Sequence, residues 1–125
     1  MESQKYLDMV FNLEELVKMY QALHELIVHE KTLLITADIE NLEQNNLQKD
    51  SMLLKIRDLN TKREALALSL AQECGAKEDR LLSIAEKYKG EQSEKLRSLH
   101  TRLSTLITSV VEDNHENERY VNSDL

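Results

Sequence analysis

The sequence predicts an all-α protein: an antiparallel, coiled-coil-like helical hairpin with a third long helix packed on it as a bundle. Three observations predict it. The 125 residues contain no Pro and only two Gly, Gly75 and Gly90. Between those breaks, apolar residues recur at alternating spacings of four and three. The apolar set is aliphatic, because aromatics are 4% of the chain and Trp is absent. Pro and Gly disfavour helix interiors most strongly, so their scarcity together with a seven-residue period leaves long helices as the economical solution. Such a chain has few loops, and loops carry most catalytic groups. Function is therefore expected on helix faces, as binding rather than catalysis.

The first helix is expected from about residue 5 to 35. Met9, Leu13, Leu16, Tyr20, Leu23, Ile27, Glu30 and Leu34 form its seam. Val10, Val17, Met19, Leu26 and Leu33 widen that seam to the broad stripe of a helix inside a bundle. Thr36, Ala37 and Asp38 break the pattern, and Asp38 is a natural N-cap for the next helix. Glu40 adds negative charge to that helix's first turn.

The second helix is expected over about 39–74, with Met52, Ile56, Leu59, Leu66 and Leu70 as its stripe and Arg63 interrupting it. Leu23, Ile27, Ile56 and Leu59 are the candidate core of the hairpin. Its first half is weaker, with Leu42 and Leu47 set among Gln44, Asn45, Asn46, Gln48 and Lys49. Gly75 suits the left-handed residue that ends a helix. A third helical stretch is expected over about 77–111, and Gly90 either ends a first piece, kinks it, or is tolerated within it. Leu96, Leu99, Leu103, Leu106, Ile107, Val110 and Val111 are its apolar residues. Residues 1–111 then form one bundle domain. Residues 112–125 turn acidic and polar and are expected as a fraying C-terminal segment.

Charge narrows the partners. There are 16 Lys+Arg against 23 Asp+Glu, a formal net charge of -7, which disfavours nucleic acid and anionic membranes. Basic residues are interspersed with acidic ones, as in Lys55-Ile56-Arg57-Asp58, the pattern of a solvated helix face. No apolar leader follows Met1, and no run approaches the length of a membrane span. The single Cys74 excludes an internal disulfide. A cytoplasmic setting is expected, with no membrane insertion.

No constellation for chemistry emerges. Glu112 and His115 have the Glu-x-x-His spacing of di-iron bundles, but no second such pair exists. His24 and His29, five apart, point in different directions. Two isolated Gly cannot build a phosphate loop. No cofactor, metal or enzymatic activity is expected. Glu30, a carboxylate at a seam position, is expected to reach solvent near the hairpin end or to pair with a Lys or Arg of a neighbouring helix.

The hairpin pattern Leu26-x3-Glu30-x2-Leu33-Leu34, Asp38-x3-Leu42 and Lys49-x2-Met52-Leu53-x2-Ile56-x2-Leu59-x3-Arg63 resembles the FlgN family of flagellar type III export chaperones. So does Asn114-x2-Asn117-x2-Tyr120-Val121, an Asn-x-x-Asn followed by an apolar pair. The resemblance runs from about Leu13 to Val121. It implies a chaperone that binds the helical C-terminal ends of hook–filament junction proteins, prevents their premature assembly and delivers them to the export gate. Many members continue further beyond the Asn pair, with a segment implicated in substrate capture; here Asn117 is followed by Glu118 to Leu125. Helix-in-groove recognition uses anchors three and four apart. With the resemblance, that makes Leu103, Val110, Asn114, Asn117, Tyr120 and Val121 the candidate partner-binding residues. The alternative is a helical-bundle adaptor or subunit of a larger coiled-coil assembly. The oligomeric state stays open.

Overall fold

The computed structural model describes residues 2–123. Four helices follow one another: α1 (Gln4–Ile35), α2 (Ile39–Cys74), α3 (Leu81–Ala85) and α4 (Gly90–Ser123). No strand occurs among the described residues. At 1.5 Å per residue, the three long helices are each roughly 50 Å in length.

Local chemistry sets the helix ends. The Ser3 hydroxyl accepts from the Tyr6 amide to cap α1, and it donates to Glu73 at 2.6 Å, tying the start of α1 to the end of α2. Asp38 caps α2 through the Asn41 amide, as its sequence position suggests. The reversal between them places Ala37 at φ 53°, a left-handed conformation that is uncommon for a residue with a Cβ. Amide donations from Ala37 to the Leu34 carbonyl and from Asp38 to the Leu33 carbonyl hold it there. Gly75, at φ 75°, ends α2, and the Ala76 amide closes back on the Ala71 carbonyl.

Gly90 resolves the third segment. It sits at φ 60°, where it breaks the chain between a five-residue α3 and a continuous α4. α4 then runs on to Ser123, through the acidic stretch that begins at Glu112, without a break.

α1 is the centre of the molecule. Met9, Leu13, Leu16, Leu23 and Ile27 are fully buried along it, and Leu70, Ile84, Leu96 and Leu99 close the core from the other elements. Ile56 is buried and Leu59 half-buried. α2 runs antiparallel to α1. Asn12 donates to the Leu59 carbonyl and Asn45 to the Leu26 carbonyl, so two buried amides clamp the hairpin in one register. α4 runs parallel to α1: Tyr6 donates to the Gln92 carbonyl at one end, and Asn117 donates to the Ile27 carbonyl toward the other.

α2 and α4 both pack on α1, but their backbones stay apart from each other. The physical reason lies in their facing residues. α2 turns Lys49, Asn60 and Arg63 toward α4 along with Leu53 and Ala67, and polar head groups that must keep hydrogen-bond partners or water oppose a tight helix pair there.

Candidate functional site

The gap between α2 and α4 is a long channel floored by α1. It holds two grooves. The wider, of about 550 Å³, lies toward the Gly75–Gly90 end. Met9, Leu13, Leu16 and Tyr20 form its floor, Asn60, Arg63 and Ala67 one wall, and Leu103 and Ile107 the other, with residues 78–83 across its end. The narrower, of about 220 Å³, lies toward the hairpin turn. Leu23, Ile27, Glu30 and Leu34 form its floor, Lys49 and Leu53 one wall, and Val110, Asn114, Asn117, Glu118 and Val121 the other.

The floor is the seam of α1. A heptad seam normally disappears against a partner helix. Here α2 and α4 straddle it: Met9, Leu13, Leu16, Leu23 and Ile27 are sealed beneath them, while Tyr20 and Leu34 stay half-buried on the channel floor. The walls carry exposed apolar side chains: Leu53 on α2, and Ile107 and Val121 on α4. Apolar surface in a concave setting with a few polar groups is the usual composition of a binding site.

A polar cluster interrupts the narrower groove. Glu30 is 9% exposed, and the Lys49 ammonium donates to both its oxygens at 3.1 and 3.0 Å. Lys49 also donates to Asn114 Oδ1 at 3.2 Å, which straps α2 to α4 across the channel. Asn117, itself buried, donates to the Ile27 carbonyl at 2.8 Å and to Glu30 at 2.9 Å. Of the two outcomes expected for Glu30, pairing with a lysine of the neighbouring helix is the one adopted.

Behind the channel, α4 is held to α1 by further polar contacts. His24 and Asp113 meet at 2.6 Å and Lys31 and Glu116 at 2.5 Å. The Glu116 carboxylate raises the Lys31 ammonium above its ordinary pKa, first by hydrogen bonding and then by charge. These contacts explain how α4 stays helical where its composition turns polar.

Five of the six candidate residues from the sequence line this channel. Leu103 belongs to the wider groove, and Val110, Asn114, Asn117 and Val121 to the narrower. Tyr120 is half-buried and lines neither. Asn117 is not a free surface group: it is buried, with its amide committed to α1. The α2 wall was missed, because Lys49 and Leu53 reveal their role only once the hairpin register is known. No group of three metal-ligating side chains converges among the described residues, and no helix is long and apolar enough to cross a membrane.

No curated protein and no solved structure gives a significant match to this chain. The sequence profile of the FlgN protein family, by contrast, matches residues 6–125, which takes in nearly all of the three long helices and both walls of the channel. The chain belongs to the FlgN family, a family of flagellar export chaperones.

Proposed function

We propose that this protein is a cytoplasmic chaperone that holds the amphipathic C-terminal helix of a hook–filament junction protein in the channel between α2 and α4. Held there, the junction protein is kept from assembling and is carried to the export gate. The observation that carries the reading is the apolar channel between α2 and α4. Tyr20 and Leu34 of the α1 seam stay half-buried between two helices whose backbones do not meet, and Leu53, Ile107 and Val121 stand exposed on the walls beside them. A fourth helix laid in the channel would cover those side chains and complete a bundle. Its anchors would be read at spacings of three and four. Because the channel is partly polar, the docked helix can also leave, which an export chaperone requires.

Binding of the junction protein, measured by calorimetry, tests this. Ile107→Glu and Leu53→Glu change exposed channel walls without touching the core. Each is expected to weaken binding more than tenfold, since a charge in an apolar contact costs well over 1.4 kcal/mol. Val111→Glu, on an exposed part of α4 that lines neither groove, is expected to leave binding within about twofold. The reverse pattern would move the docking surface out of the channel.

One observation favours the second reading, a permanent coiled-coil subunit. Leu47, Leu54 and Leu68 lie in one seven-residue row on α2, and all three are exposed. Such a row could join a larger coiled coil. Purification of the untagged protein from its native host separates the two: a stoichiometric complex that Leu54→Glu dissolves supports the subunit, and a transient junction-protein complex supports the chaperone.

A further inference from the structure

Glu30 is the carboxylate in the floor of the narrower groove, set in a seam that is otherwise apolar. Its side chain is 11% exposed and lines the groove. A carboxylate offers about four acceptor positions. Lys49 fills two and Asn117 fills one. About one remains, on Oε2, which accepts from Lys49 alone. The charged residues lining that groove are Glu30, Lys49 and Glu118, so its balance is negative by one. A helix laid over this point with an unbroken apolar stripe would strip the carboxylate of its remaining water and give nothing back.

We infer that Glu30, held in place by Lys49 and Asn117, sets the register of the docked helix by requiring one hydrogen-bond donor in that helix's apolar stripe. The donor is Asn, Gln, Ser, Thr or a cation, and it meets the Glu30 carboxylate while apolar anchors on either side fill the grooves. Shifted by one turn, the same helix would set an apolar side chain against the carboxylate. A single buried polar position fixes register in coiled coils by this logic, and rejecting the wrong partner is as much part of specificity as attracting the right one. The inference rests on the docking reading above and names the kind of helix the channel selects.

Two peptides of equal length test it by calorimetry. One is the C-terminal helix of a junction protein; the other is a Leu/Lys amphipathic helix with an uninterrupted apolar stripe. The native protein should prefer the first by roughly ten- to a hundredfold, the value of one hydrogen bond to a charged group. In Glu30→Leu/Lys49→Met that preference should fall to within about threefold, because the groove floor no longer holds a buried carboxylate to satisfy. An unchanged preference in the double variant overturns the inference, as does equal binding of both peptides by the native protein; either leaves helix docking standing. Binding of neither peptide by the native protein removes the docking reading and this inference with it. Thermal melts report whether the double variant folds. If it does not, Glu30→Gln, close in shape, takes its place, and its preference must then drop by roughly tenfold.

Discussion

Lys49 on α2 reaches Glu30 on α1 with its Nζ at 3.1 and 3.0 Å from the two carboxylate oxygens, and the same ammonium reaches Asn114 on α4. One side chain therefore ties all three long helices at the hairpin end. Its charge is largely withdrawn from water, with the pair 16% and 11% exposed. In such a pair the desolvation cost and the attraction nearly cancel, whereas loss of one partner strands the other.

Lys49→Met alone is therefore expected to cost about 3 kcal/mol in urea unfolding, because the Glu30 carboxylate keeps only Asn117. Glu30→Leu together with Lys49→Met is expected to be near neutral or stabilising. A double variant less stable than the single one would show that the pair contributes stability outright.

Asn117 makes a second, local prediction. Its amide holds α4 to the Ile27 carbonyl and to Glu30 beyond the point where apolar packing thins. Asn117→Ala should free those two acceptors at a cost of about 1–3 kcal/mol. Hydrogen exchange is the measurement that localises it. Amides after Val110 should exchange faster, while those of the α1–α2 hairpin stay protected. Uniform acceleration along the whole chain would mean that the end of α4 is not an independent unit.

Alkaline stability follows from Tyr88. Its ring lies 5.1 Å from that of Tyr6, and burial, followed by nearby Cys74 and Glu73, pushes its pKa up to about 12. Burial, and then Glu2, also raises Tyr6. The unfolded phenol titrates near 10. Between pH 10 and 12 the unfolded chain gives up a proton that the folded one keeps, so stability is complete below 10 and is lost as pH rises toward 12. Urea midpoints should fall across that window, and Tyr88→Phe should flatten the fall. A midpoint that is level from pH 9 to 12 would contradict the raised pKa of this half-buried phenol.

Much of this was legible in the primary structure. The seam from Met9 to Leu34 could be read because a seven-residue period survives without Pro or Gly to interrupt it. The Asp38 cap and the Gly75 stop were equally legible, since each depends on a side chain acting on its own neighbours. Gly90 was ambiguous, and only the positive φ that it adopts between α3 and α4 settles which of its three uses applies. The stretch after Glu112 reads as a fraying tail on composition. As far as Ser123 it is helix, held by contacts with residues more than eighty positions away, such as His24–Asp113 and Lys31–Glu116, which no local pattern encodes; Asp124 and Leu125 lie outside the described residues.

What the sequence by itself determined is the set of long helices, their core stripes and their ends, because those depend on period, propensity and capping within a few residues of chain. What only the tertiary structure decided is the channel. That α2 and α4 share α1 while their backbones stay apart, and that Lys49 and Asn117 converge on Glu30 with Asn114 held by the same lysine, depends on hairpin register and on the parallel course of α4. Both are set by the balance between burying apolar area and keeping polar side chains hydrogen-bonded, a balance struck over the whole bundle rather than along any one helix.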